Sequence, residues 1–301
     1  MTSMQFNRNS GFTLIELVVT IVISAILAVG IVSFIGDSVN SLTTSTNRNQ
    51  MASAGRVALD RLAMEMHNAL PNSIRATTAT GAGDQCLEFI PVRAASSYIN
   101  PAFTGGGGTT FDVVDFTPSQ HGVTGGYAVI YPNVQSQLYD GDNGPSAGWP
   151  NFPNRRPIQG IVSIQDSVAP NQSTVTLVTA HRFNNRSPNL RFFVVEDPIS
   201  YCVVGDKLYR YTNYGFFTSQ VTVEEEVAVC EKALNQRCLP NYSDSPNKML
   251  ISDSIDNTGL TAFTVGTQSL NRNALVVIEL NFASNGESIK LNHEVLTRSV
   301  P

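Results

Sequence analysis

One carboxylate stands where apolar side chains flank it on both sides. Between Phe12 and Ile35 run 24 residues whose only ionisable side chain is Glu16. An acid inside a run of membrane length costs a few kcal/mol on insertion scales, so it calls for a cationic partner. Cys86, Cys202, Cys230 and Cys238 form the second reactive set, with spacings of 116, 28 and 8 and no C-x-x-C pair. Those spacings fit no zinc ribbon or finger, and all four thiols lie beyond the apolar run, on whichever side of a membrane that run exports. If that side is oxidising, disulfides follow, and four cysteines permit three pairings. Cys230 with Cys238 is the expected close pair because few residues separate them, and Cys86 with Cys202 is then expected to pin two strands.

No catalytic constellation accompanies these residues. His67, His121, His181 and His293 are scattered, in neither an H-x-x-x-H nor a G-x-S-x-G context. "DGDNG" at Asp140 to Gly144 begins like a calcium loop, but Gly144 stands at the third ligand position and Asn151 where a bidentate glutamate is needed. "TGGGGTT" lacks the G-K-[ST] ending of a phosphate loop and reads as a flexible tip. "EEE" at Glu224 to Glu226 reads as a solvated strand edge. Arg155, Arg156, Arg182, Arg186 and Arg191 lie amid Asn and Pro and are a candidate basic patch for DNA or glycan. Without an acid, base and nucleophile together, no enzyme, metal or cofactor is expected.

The elements that must carry these residues are legible in pattern. The apolar run is long enough, at about 1.5 Å per residue, to cross a bilayer core of about 30 Å. It is too long for a cleaved secretory signal and no A-x-A site follows it. Beyond Ile35 apolar residues recur at helical spacing (Val39, Leu42, Ala54, Val57, Ala58, Leu62, Met66, Ala69, Leu70) up to Pro71. Helix from Thr13 to Leu70 would be roughly 85 Å long, with "NSLTTSTNRNQ" (residues 40–50) its weakest section. From residue 72 the signals change to short β-branched or aromatic runs between Gly, Pro and Asn: "CLEFIPV", "GYAVIYP", "STVTLVTA", "LRFFVVE", "YCVVGDKLYRY", "ALVVIELNFA" and "IKLNHEVLT". Gly205-Asp206 and Asn285-Gly286 read as two-residue hairpin turns. The stretch 94–157 is poor in periodicity and reads as long loops inserted in the head. The expected class is α+β: a long N-terminal helix, membrane-spanning in its first half, on an antiparallel β head. The head is read as one elaborated unit, the alternative being two small β lobes joined near Asp197 to Ser200. A formal net charge of −5 over 301 residues argues against bulk electrostatic binding of nucleic acid or anionic lipid.

"GFTLIELVVTIVISAILAVG", behind a short leader with one arginine and no acid, closely resembles the class III signal of type IV prepilins and type II secretion pseudopilins. The resemblance implies a pilin fold with a leader at 1–11, a transmembrane and stalk helix at 12–70 spanning the membrane over 12–35, and a β-rich head at 71–301. It implies that a prepilin peptidase cuts after Gly11 and methylates Phe12. It matches Glu16 to the helix glutamate that faces a neighbouring subunit's N-terminal amine during assembly. The proline that kinks this helix in many major pilins is absent, Ser33 standing about there. In the C-terminal half, "ISYCVVGDKLYRY", "MLISDSIDNTGLTAFTV" and "ALVVIELNFASNGESIKLNHEVLTRSVP" are similar in order to the heads of J-type minor pseudopilins and of minor pilins of the MSHA (mannose-sensitive haemagglutinin) pilus. The implied role is a minor pilin at or near a pilus tip that primes assembly. Its implied partners are other minor pilins, the major pilin, the prepilin peptidase and the inner-membrane assembly platform. Its implied location is the inner membrane, single-pass with a periplasmic head, and then the pilus at the cell surface. The rival expectations are a type II secretion minor pseudopilin and a tip adhesin whose 94–157 loops hold glycan or DNA.

Overall fold

The computed structural model describes residues 13–115, 125–140, 153, 155–222, 226–227, 239–240, 247–266 and 274–297. It opens on one helix, α1 (Leu14–His67), of 54 residues. The chain divides into two compact units that meet inside this helix, one ending at Gln50 and one beginning at Met51. In the first unit every large apolar side chain of the early turns is exposed, from Leu14 at 82% to Phe34 at 72%. In the second, Met51, Gly55, Ala58, Leu59, Leu62, Ala63 and Met66 recur every three or four residues and are buried, so one stripe of the helix seats on the head. Burial of each large side chain in that stripe contributes about 1.5–3 kcal/mol.

After α1 come β1 (Arg75–Ala76) and β2 (Gln85–Phe89). The chain then leaves on an excursion: β3 (Val92–Ser97), β4 (Gly108–Val114), β5 (Tyr127–Val129), a single helical turn α2 (Gln135–Leu138), β6 (Ile158–Asp166), β7 (Gln172–His181) and β8 (Arg191–Val195). It returns through β9 (Ile199–Val204) and β10 (Lys207–Tyr211), then β11 (Glu226–Val227), β12 (Leu239–Pro240), β13 (Lys248–Ser252), β14 (Phe263–Val265), β15 (Ala274–Ser284) and β16 (Glu287–Thr297). Except for the two-residue pair β11–β12, which is parallel, the strands pair antiparallel.

Two sheets, β1-β2-β9-β10-β13 and β14-β15-β16, share one core with the helix stripe, including Leu87, Tyr201, Phe263, Ile278 and Phe282. At Gly55 the helix approaches the sheet closely: a Cβ there would lie 2.5 Å from Leu291 Cδ1 and 2.7 Å from Phe282 Cε2. Across the same interface Arg210 Nε donates to Glu65 Oε2 at 2.9 Å.

The excursion forms a second lobe, a six-stranded sheet in the order β3-β8-β5-β6-β7-β4. Its two edge strands meet: Tyr98 bridges Val113, and the Ile99 N–H donates to the Asp112 carbonyl at 2.8 Å. Inside packs a separate core in which Phe111 meets Phe183 and Phe192 edge-on. The stretch read from sequence as inserted loops therefore carries β3, β4 and β5 as well. Their partners, β6 to β8, lie far along the chain, so periodicity within 94–157 alone gave no sign of the pairing. A third cluster, Leu70, Ile90, Tyr127, Tyr139, Phe193 and Phe216 among its members, packs this lobe on the residues that follow α1.

Both sequence-read hairpins form. Gly205 has φ +58, while Asn285 and Gly286 have φ 52 and 80, the doubly left-handed turn that Asn-Gly favours. The helix closes at His67 rather than Leu70, because the Leu70 N–H is taken by the Ile90 carbonyl at 2.7 Å and Val92 N–H donates back to Asn68 O at 2.7 Å.

Candidate functional site

Thr13 and Glu16 occupy the N-cap and N3 positions of α1 and satisfy each other's ends. Glu16 N–H donates to Thr13 Oγ1 at 3.3 Å, while Thr13 N–H and Oγ1 donate to Glu16 Oε2 at 3.3 and 3.2 Å. This is a capping box, which ties up donors that the first helical turn leaves without partners. The T-x-x-E signature at 13–16 was present in the sequence and is the signal that reading the acid only as an intermolecular partner passed over. Both residues are exposed, so the carboxylate stays accessible to a cation. Gly11 and Phe12, the expected cleavage and methylation positions, lie outside the described residues. The helix that follows contains a window of mean hydropathy 2.8 with none of it buried. A core helix of that composition would be covered, whereas this one is long and apolar enough to cross a membrane.

Cys86 and Cys202 are joined by a disulfide, with their Cα atoms 4.1 Å apart. They are register partners on β2 and β9. Cys86 turns its backbone groups away from β9: its carbonyl accepts the Thr77 N–H at 2.9 Å and its N–H donates to Thr77 Oγ1 at 2.9 Å. The two cysteines are therefore a narrow, non-hydrogen-bonded pair, the cross-strand site where side chains come closest. The bridge spans the neck of the six-stranded lobe, since β2 leads into that excursion and β9 leads out. Cys230 and Cys238 lie outside the described residues.

The most buried charges sit next to this neck. Glu88 is wholly buried, and Arg75 Nε donates to its Oε2 at 2.5 Å. Its Oε1 accepts the Tyr214 hydroxyl at 2.9 Å, and that hydroxyl shares a 2.8 Å bond with Ser200 Oγ. Arg75 also donates to the Thr218 and Phe217 carbonyls, both at 2.7 Å, and lies 3.6 Å over the Tyr139 ring. Burial pushes the Glu88 carboxyl above the usual range while Arg75 pulls it back; burial likewise drives the Tyr139 and Tyr214 phenols well up. Each charged atom is engaged by protein, so the network clamps β1, β2, the 214–218 segment and the six-stranded lobe together rather than presenting a reactive group.

The remaining candidates divide. His181 is buried, its Nε2 at 3.0 Å from the Arg156 carbonyl and its Nδ1 at 3.3 Å from Gln159 Nε2; burial lowers its pKa. His67 ends α1, His293 lies on β16, and His121 is outside the described residues. Among the described residues no group of three His, Cys, Asp or Glu could hold a metal. "DGDNG" falls outside them apart from Asp140, which pairs with Arg156. Glu226 lies on β11, and Glu224 and Glu225 are outside the described residues. Of the five arginines, the fold gathers Arg155, Arg182 and Arg186. The Arg155 N–H donates to the Arg182 carbonyl at 2.8 Å, Arg182 Nη1 donates to Gly105 O at 3.2 Å, and the Arg186 guanidinium lies 4.8 Å over Phe103, in the same loop.

Residues 6–32 match the family model described as "Prokaryotic N-terminal methylation motif". The match includes the first part of α1, ends well before the head, and supports a type IV pilin-like protein. No curated protein and no solved structure matches the chain.

Proposed function

We propose that the chain is a structural minor pilin, cut after Gly11, methylated on Phe12 and carried into an MSHA-type pilus at or near its tip, where it primes assembly. The observation that carries this reading is the continuity of the methylation motif with α1, a helix bare and apolar in its first half and seated in a β head in its last turns. The order of the C-terminal strand motifs favours a relation to the MSHA minor pilin MshO. A head of this size suits a terminal position better than repeated packing along a shaft. Its partners in this reading are the other minor pilins, the major pilin, the prepilin peptidase and the assembly platform. Glu16 recruits the subunit by meeting the free amine of a neighbour's Phe12. In a low-dielectric bundle such a pair selects register, because an unpaired carboxylate there is penalised by several kcal/mol.

Because Glu16 also closes the capping box, two variants separate the roles. Glu16→Gln keeps an oxygen for Thr13 and removes the charge; Thr13→Val keeps the charge and removes the hydroxyl cap. Glu16→Gln should insert and be cleaved normally, yet fall by tenfold or more in sheared pili at matched expression, about 1.4 kcal/mol or more of lost pairing. Thr13→Val should stay near wild type. Normal incorporation of the Gln variant would defeat the assembly role. Recovery of the chain with secretion-system subunits instead of pilins would favour the pseudopilin reading.

A further inference from the structure

We propose that the rim of the six-stranded lobe formed by Arg155, Arg182 and Arg186 over the Ala102–Gly107 loop is a docking surface for an acidic polysaccharide. This goes beyond a filament role and does not depend on one.

The lobe is polarised by its strand register. At one end β7 begins beside Asp166, with Ser173 Oγ donating to Asp115 at 2.7 Å and Thr174 Oγ1 donating to Asp112 at 2.8 Å. At the other end β7 finishes at His181, opposite Gly108; Arg182 and Arg186 follow it, and the Arg155 N–H, from the segment before β6, donates to the Arg182 carbonyl. From Val92 to Val195 the lobe's sequence holds six arginines and no lysine, and its planar forks suit carboxylate groups through paired N–H donors. Arg155 and Arg186 are exposed, and among the described residues neither has a carboxylate within ion-pair distance. Arg156 differs, being committed to Asp140.

The floor of the rim is backbone. Gly107 has φ +94, and a Cβ there would lie 2.7 Å from the His181 carbonyl carbon, so the loop can lie this flat against the strand end only as glycine. Exposed Thr109, Thr110, Asn185 and Asn189 lie on the segments flanking it, offering hydroxyl and amide partners to sugar hydroxyls. Nucleic acid fits less well. Among the described residues of the rim the aromatic ring, Phe103, already has Arg186 over one face, which removes that face as a stacking platform. Duplex DNA carries one charge per about 1.7 Å, and a chain of net charge −5 repels so dense a polyanion more than a polymer with one carboxylate per sugar.

The test uses the full chain in nonionic detergent and measures binding to immobilised polygalacturonate, with dextran and single-stranded DNA as comparison arms. Polygalacturonate should bind, weaken as salt rises, and exceed both other polymers. Arg155→Gln with Arg186→Gln should weaken binding by tenfold or more, and the paired Lys variant by severalfold, because charge remains without the fork. Arg93→Gln, away from the rim, should bind as wild type, and all variants should keep the wild-type melting temperature. Equal retention on dextran, tighter binding of DNA, or undiminished binding by the folded double Gln variant would each overturn the assignment.

Discussion

Removing the Glu88 carboxylate tests whether the head is clamped as its buried network implies. Glu88→Ala leaves Arg75, whose side chain is only 11% exposed, without a counter-charge. Breaking a buried pair from one side costs about 3–5 kcal/mol. Arg75 keeps the Thr218 and Phe217 carbonyls and the Tyr139 face, and Tyr214 keeps Ser200, which places the loss near the middle of that range, about 4 kcal/mol. Glu88→Gln retains an acceptor for Tyr214 but offers no charge to Arg75, so it should lose less, about 2–3 kcal/mol. Arg75→Met with Glu88→Leu removes both charges at similar volume and should recover to within about 2 kcal/mol of wild type. Urea unfolding of the full chain in nonionic detergent, followed by the β-sheet signal in circular dichroism, gives these differences if the slope m is unchanged. A loss under about 1 kcal/mol for Glu88→Ala, or a double variant at the sum of the two singles, would refute the clamp.

Two further outcomes follow from the packing. Cys86→Ser with Cys202→Ser opens a closure spanning 116 residues and should cost about 2–5 kcal/mol, read as a lower urea midpoint than that of oxidised wild type; an unchanged midpoint would show that the bridge does not constrain the neck. Gly55→Ala gains about 1 kcal/mol of helix propensity but forces a Cβ against the Phe282 ring, which is 1% exposed and has no room to withdraw; a net loss of about 1–2 kcal/mol should appear as a lower melting temperature, and a gain would show that Leu291 and Phe282 yield.

What could be read in the sequence is what neighbouring residues decide among themselves. The membrane-length apolar run, its helical continuation, the Gly205 and Asn285-Gly286 turns and the principal strands each follow from local period or backbone freedom, as the structure reproduces them. The capping box was equally local, since Thr13 and Glu16 lie three residues apart. The tertiary structure alone decided which distant segments meet. The Cys86–Cys202 bridge was expected and is formed, but nothing near Val92 announces that the chain will leave β2, close a six-stranded lobe and return through β9 to make it. Nor does anything near Arg75 announce the Tyr214 hydroxyl that completes its partner's shell, or anything near Arg155 the Arg182 carbonyl that gathers the rim. Such pairings depend on which faces exclude water together and on closing long loops. Both are properties of the whole chain, so they leave no periodic mark on the residues involved.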